Sequence, residues 1–370
     1  MARAPLLPYW GWWMAGRAVL AGALLGCVLL APGHAAEAEA GGAVDLTPGA
    51  RERVRFGGST TVFPYALLAA EHYAARTGRP LPIGESTGTT AGARLFCAGS
   101  GPLTPDIAMT SRPLNPAEKE ACLAHGVRDV VTIPIGMDAL AVGEKAGMPP
   151  LALTRAQIWR ALAARVPVEG HFVPNPYRFW RDVDPSLPDL PIKVIGPANT
   201  SGKYDALETV ILEGGCRGVA EVDAIADKAQ RRRMCVTLRE DGAYVPHTLL
   251  AIPYVERLMQ EPGPAIVLMS LQELDDARVT PVRVEGVVPD RDAVINGRYP
   301  VGRALYLHIK RPGAVPGVID FAQEFLRDDA SGPNGYLSAA GLVPLDAQAR
   351  ATMRALLDAP PAPTPAEGTP

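Results

Sequence analysis

Three times in this chain a short apolar strand runs into a glycine- and hydroxyl-bearing turn and then into a helix. That recurrence limits the fold more than any other feature. In the first case, around RFGGSTTVFPY, Val54 and Phe56 end a strand, Gly57 and Gly58 turn the chain, and Ser59, Thr60 and Thr61 open a helix. The second is Gly88-Thr89-Thr90 and the third Thr200-Ser201-Gly202. Glycine permits the tight turn, and a hydroxyl at a helix start caps free N–H groups. Those N–H groups, with the helix dipole, favour an anion at the same point. One such junction is ordinary; three of them can converge on a single small oxyanion.

The alternation extends further. Strands are expected at Arg53–Phe56, Leu81–Gly84 and Asp106–Met109, followed by a long apolar run at Val130–Val142. Helices are expected between them at Pro64–Thr77, Ala93–Ala98 and Pro116–His125. This order predicts a mostly parallel sheet covered by helices, with ligands beyond the strand C-terminal ends. Thr154 caps a further helix, TRAQIWRALAA, and the proline- and aromatic-rich residues 165–191 read as a long surface loop. Pro191–Gly196 is a strand leading into the helix SGKYDALETVILEGG, and residues 217–234 read as a solvated helix. Ala265–Ser270 and Ala304–Ile309 are strands, and Pro316–Arg327 is a helix. The 370 residues suffice for two domains. The long strands near 135–142 and 302–309 predict two crossings between lobes: residues 53–136 and 302–350 form one, 137–301 the other.

The ends differ from the middle. Arg3 and Arg17 precede the apolar run AVLAGALLGCVLLA and then PGHAAEA, the pattern of a signal peptide over residues 1–36, cleaved after Ala35 or Ala36. The run is shorter than the ~20 residues a membrane span needs. A lipoprotein box at Leu24–Cys27 is the weaker reading, because the apolar run continues past Cys27. Residues 37–52 read as a flexible lead and 351–370 as a disordered, proline-rich tail. The expected location is the periplasm.

Export leaves Cys97, Cys122, Cys216 and Cys235, an even set that reads as disulfides. Three connectivities are open, of which the local pairs Cys97–Cys122 and Cys216–Cys235 are preferred. Each would stabilise by roughly 3 kcal/mol. No CxxC spacing occurs and the six histidines are scattered, so neither a metal nor another cofactor is expected. A net charge of −3 argues against a nucleic-acid partner. GPANTSGKY approaches a nucleotide P-loop, but five residues separate its glycines and Tyr204 follows the lysine. GxSxG and HExxH are both missing, and no enzyme activity is expected.

Taken in order, these pieces resemble the periplasmic phosphate-binding proteins that feed Pst-type ABC importers. The resemblance spans most of residues 53–350. It is carried by STTVFPYA (59–66), GTTAGARLFCAG (88–99), PDIAMTSRPL (105–114), IGMDALAV (135–142), IKVIGPANTSG (192–202) and REDGAYV (239–245). The C-terminal YP-x-x-R-x-LYLHIK and GYLSAAGLVPL complete it. It implies an α/β, two-lobed type II periplasmic binding protein fold. Each lobe is a mainly parallel sheet flanked by helices, and two hinge strands join them around one dehydrated oxyanion. The implied ligand set is Ser59, Thr60, Thr61, Thr89, Thr90, Arg112, Ser201 and Gly202. Asp138 or Asp205 would accept the proton of hydrogen phosphate. Where the family reads SGTR this chain reads Ser201-Gly202-Lys203-Tyr204, so Lys203 would supply positive charge in place of the lost donors. The implied partners are phosphate or a related oxyanion and an inner-membrane ABC permease, with the receptor monomeric. The altered second-lobe motif leaves a second reading: another oxyanion or small molecule, or a sensory or structural role without transport.

Overall fold

The computed structural model describes residues 52–248, 252–311 and 315–360. The expected signal peptide, nearly all of the flexible lead and residues 361–370 of the tail lie outside the described residues.

Near the start the expected alternation is present. Strand β1 (Arg55–Gly58) leads to α1 (Phe63–Thr77), β2 (Ile83–Ser86) to α2 (Thr89–Phe96), and β3 (Ile107–Thr110) to α3 (Pro116–Ala124). Strands β1, β2 and β3 are parallel, so the loops that follow them leave one edge together. The turn after β1 is tight: a Cβ on Gly58 would collide with the Met109 carbonyl oxygen, and its φ is +136°. Asn115 caps α3 in a reciprocal box with Glu118.

Strand β4 (Val130–Lys145) is the longest element of the sheet and changes partners along its length. Its first ten residues, 130–139, pair antiparallel with the returning strand Gly302–Lys310, and residues 140–144 pair with Ile266–Ser270. After β4 come β5 (Ala152–Leu153), α4 (Arg155–Leu162), the hairpin β6 (Arg165–Val168) and β7 (His171–Pro174), and α5 (Trp180–Val183). Strand β8 (Val194–Pro197) leads into a continuous helical segment. That segment comprises α6 (Gly202–Ala206), a π-helical stretch (Leu207–Leu212) and α7 (Glu213–Cys216). The remaining strands are β9 (Tyr244–His247), β10 (Ile266–Ser270), β11 (Val279–Pro281), β12 (Arg283–Val284) and β13 (Gly302–Lys310). The main sheet runs β2-β1-β3-β13-β4-β10-β8-β9, with β11 also on β4. Pairing is parallel toward both ends and antiparallel in the middle.

Two large cores divide at the point where β4 changes partners. Phe56, Met109, Ile133, Ile135, Leu307 and Phe321 belong to one. Leu140, Val142, Trp159, Val194, Leu212 and Leu268 belong to the other. Cys97 is bonded to Cys122, joining the end of α2 to α3, and Cys216 to Cys235, joining α7 to the helix Lys228–Val236.

Two expectations are corrected. Residues 165–191 are not a featureless loop. Val166 pairs with Val173 across a two-residue Glu169-Gly170 turn, both residues at positive φ, which suits the twist of a hairpin. Trp180 is buried in the core rather than lying on the surface. Nor does the tail begin at residue 351. Asp346 caps a helix at Ala347–Asp358, and that helix buries Leu357 and packs Met353 on the first core, so only the residues beyond it retain the tail's composition.

Candidate functional site

The loops that end β1, β2, β3 and β8 meet at one place, which is where parallel strands place ligands. Each of the ten residues proposed from the sequence lies on one of these loops or in the first turn of the helix that follows it, except Asp138, which is on β4. The loop after β1 folds on itself: Ser59 N donates to Met109 O (2.9 Å), and the Thr61 amide donates to Ser59 Oγ (3.3 Å). Ser59 is buried and braces the turn before α1, whose N-cap, Val62, has no side-chain cap bond. Thr61 Oγ1 donates to the carbonyl of Gly202 (2.9 Å), tying the β1 loop to the start of α6. The approach is close enough that a Cβ on Gly202 would lie 2.6 Å from the Thr60 carbonyl oxygen. Glycine there is a packing requirement. Ser201 caps α6 by accepting from the Lys203 amide (3.2 Å).

The second and third loops are joined by hydroxyls. Thr89 Oγ1 lies 3.0 Å from Ser111 Oγ and accepts from the Ser111 amide (3.1 Å). Ser111 Oγ in turn donates to Asp205 Oδ2 on α6 (3.4 Å). Arg112, expected to grip a ligand, spends its guanidinium on Glu118: Nη1 and Nη2 each donate at 2.8 Å, and Nη2 also reaches Thr90 Oγ1 (3.3 Å). Burial pushes the Glu118 carboxyl up, but the Arg112 guanidinium and the Asn115 amide outweigh it and hold it below the ordinary carboxylate range. The loop is braced from behind by His308. Thr110 Oγ1 donates to the Arg112 carbonyl (2.6 Å) and lies 2.8 Å from His308 Nε2, while His308 Nδ1 lies 2.8 Å from Thr132 Oγ1. Since the single proton of Thr110 is already used, Nε2 donates to it and Nδ1 accepts from Thr132. Burial pushes the His308 pKa down to about 4 and keeps the ring neutral.

At the centre lies a residue the sequence reading did not select. Arg303 on β13 donates to Thr61 Oγ1 (2.8 Å), Asp205 Oδ2 (2.6 Å) and Thr209 Oγ1 (3.2 Å). Register places it directly opposite Asp138 on β4, with Nη2 3.5 Å from Oδ2. Their side chains are only 11% and 7% exposed. Asp138 Oδ2 and Arg303 Nε are both buried without a hydrogen-bond partner among the described residues. Leaving such atoms unsatisfied costs about 1–3 kcal/mol each. The result is a polar chain from Thr89 through Ser111, Asp205, Arg303 and Thr61 to the Gly202 carbonyl. Arg303 stands within the YP-x-x-R motif, but only the strand register shows that it meets Asp138.

Beside this chain opens a cavity of about 730 Å³, lined by Thr89, Thr90, Arg112, Ser111, Asp205 and Arg303 among others. Of the expected residues, Thr89, Thr90 and Arg112 face it. Thr61 and Asp138 join it through Arg303, whereas Ser59, Thr60, Ser201 and Gly202 are not among its lining residues. Lys203 is not among its lining residues, and its ammonium makes no hydrogen bond or ion pair among the described residues. No group of three or more His, Cys, Asp or Glu among the described residues could hold a metal, and no described helix is long and apolar enough to cross a membrane.

A fold of this kind, with paired α/β halves and hydroxyl-lined loops facing one another, is that of the type II periplasmic binding proteins. A family model described as a PBP superfamily domain matches residues 43–329, and the chain belongs to that superfamily. Among curated proteins, Protein SphX of Synechococcus elongatus is 28% identical over 303 residues, covering 81% of this chain and 79% of its own length. The phosphate-binding protein PstS of Staphylococcus saprophyticus is 27% identical over 184 residues, 47% of this chain and 50% of its own. Among solved structures, a possible phosphate binding protein from Planctomyces limnophilus aligns with a TM-score of 0.63 at 20% identity, over 83% of this chain and 97% of that one. An ABC-type phosphate transport receptor from Vibrio cholerae aligns with a TM-score of 0.52 at 18% identity, over 75% and 94%. These two structures bear on the fold.

Proposed function

We propose that this chain is an exported solute receptor that captures inorganic phosphate between two lobes and delivers it to an inner-membrane ABC permease. The lobes are residues 53–136 with 302–350, and residues 137–301; β4 and β13 are the hinge strands. The observation that carries the reading is the buried Asp138–Arg303 pair with one unsatisfied acceptor and one unsatisfied donor. Hydrogen phosphate can supply what both lack. Its proton goes to the Asp138 carboxylate, and an oxygen accepts from the Arg303 guanidinium. The Thr61, Thr89 and Ser111 hydroxyls, whose protons go to Gly202, Ser111 and Asp205 in this structure, would serve as neutral donors by exchanging those contacts for the anion, so it can be held without several balancing cations. Sulfate has no proton at neutral pH and would leave Asp138 facing an oxygen. The phosphate-binding name of a 27% identical relative supports the same ligand. Binding here involves no covalent step.

The test is calorimetric titration of the protein, unfolded and refolded to strip carried-over ligand. Phosphate is expected to bind at micromolar concentration or tighter, with sulfate at least 100-fold weaker. Equal binding of the two would remove Asp138 as proton acceptor. Absence of phosphate binding by a folded protein would move the assignment to a different ligand.

A further inference from the structure

The two halves already touch at Thr61–Gly202, Ser111–Asp205 and Arg303–Asp205, yet the cavity continues outward past those contacts. A five-atom oxyanion held at Arg303 and Thr89 occupies only its inner end. The outer wall is built from two helix faces. Thr90 and Arg94 are one turn apart on α2, so both look the same way. Opposite them, Asp205, Thr209 and Glu213 recur every four residues along the α6–α7 segment and all line the cavity. The π-helical stretch between Leu207 and Leu212 has a wider turn than an α-helix, and this offsets the rotation that would otherwise carry Glu213 away from Asp205.

Four arginines line this space, and three are committed to carboxylates: Arg303 to Asp205, Arg112 to Glu118, and Arg232 to Glu208 and Glu213. Arg94 alone among them has no ion pair or hydrogen bond to any described residue. The outer wall thus presents a free guanidinium, an Arg232–Glu213 pair and the apolar edge of Val210. A mixture of donor and acceptor beside a small apolar surface suits a hydroxylated group better than a second anion, which Glu213 would repel. Arg94 and Arg232 are both exposed, so a ligand held at the inner end can project between them.

We infer that the site accepts phosphate monoesters of small polyols, with the phosphoryl group at Arg303 and the hydroxylated group held by Arg94 and the Glu213–Arg232 pair. The inference rests on the oxyanion site proposed above and extends its ligand class. It is tested by titrating the full chain with orthophosphate and with glycerol 3-phosphate, in the parent and in Arg94→Ala. The ester is expected to bind within tenfold of orthophosphate. Arg94→Ala should weaken the ester at least tenfold while changing orthophosphate less than twofold, and the retained orthophosphate binding shows that the variant is folded. Orthophosphate binding with the ester more than 1,000-fold weaker overturns the outer subsite and leaves the receptor reading intact. An equal loss for both ligands, or no loss for either, removes Arg94 from the ester's contacts and overturns the assignment as well. Binding of the ester alone upholds the subsite and overturns orthophosphate capture, whereas binding of neither overturns both.

Discussion

The two walls of the cleft are built on different plans. The wall from β1, β2 and β3 is made of short loops whose hydroxyls sit on backbone turns and bond from one loop to the next, Thr89 to Ser111 and Thr61 to the start of α6. The opposite wall is the face of one long helical segment carrying Asp205, Thr209 and Glu213, and it depends on an arginine from a strand almost a hundred residues later. The first wall carries the unpaired Arg94 beside the Arg112–Glu118 pair, whereas the second holds its charges in the Arg303–Asp205 and Arg232–Glu213 pairs and depends on the β4–β13 register. Affinity should therefore tolerate changes to single loop hydroxyls better than changes to the Arg303 network.

The largest expected effect falls on that network. Arg303→Ala strands Asp138 in a buried site and should cost about 3–5 kcal/mol of stability, measured by urea unfolding, while reducing phosphate affinity at least 100-fold. Arg112→Ala removes a half-exposed pair with Glu118 and should cost about 1 kcal/mol or less. If the two variants lose stability and affinity equally, the distinction between the walls collapses. The double variant Arg303→Ala/Asp138→Asn should recover part of the stability, because the buried Asp138 charge is removed and the carboxylate left without Arg303, Asp205, is partly exposed to water.

A second contrast is in pH dependence. His308 braces the first wall and is held neutral with a pKa of about 4, against an ordinary 6.5. Between pH 6.5 and 4 the unfolded chain binds a proton that the native state refuses. This term raises stability with pH across that window by about 3 kcal/mol and is complete above it. Glu144, in the part of β4 that pairs with β10, behaves oppositely. Burial pushes its carboxyl up to about 7, so the native state holds a proton the unfolded chain has released. Its term lowers stability by about 3 kcal/mol as pH rises from 4.5 to 7. The two nearly cancel over pH 4.5–6.5. Relative to the parent, Glu144→Gln should gain stability with rising pH in that window and His308→Gln should lose it. Parallel pH profiles for parent and variants would refute these assignments.

Smaller effects test the geometry. Gly202→Ala places a methyl group against the Thr60 carbonyl and should cost about 1–3 kcal/mol, with weaker phosphate binding as the halves are pushed apart. Thr154→Ala removes a cap distant from the cleft, accepting from Gln157 N at 3.1 Å. It should cost about 1 kcal/mol in thermal or urea unfolding with affinity unchanged. A drop in affinity for Thr154→Ala would mean that global stability, not the walls, sets binding.

This difference between walls also explains what could be read in advance. Thr61, Thr89 and Ser201 were legible because glycine–hydroxyl helix starts are local patterns whose cause lies within a few residues. The strand–helix order of the first half was legible for the same reason, with boundaries shifted by at most four residues. Arg303 was not, since its importance comes from facing Asp138 across β4 and β13, a register no local pattern encodes. The β6–β7 hairpin was obscured by its prolines, although the Glu169-Gly170 turn between paired valines is a usable signal. Arg112 shows a partner that its own motif does not announce. Its place in TSRPL suggested a ligand contact, while Glu118, needed to cap α3, stands close enough to claim its guanidinium.

The most direct measurement is a crystal structure of the protein grown with arsenate, located by its anomalous scattering. One arsenic is expected between the walls, with its oxygens within hydrogen-bond reach of Arg303, Asp138, and the Thr61 and Thr89 loops. An arsenic bound on the outer face of Arg112, or one that makes no contact with Arg303 and Asp138, would contradict it.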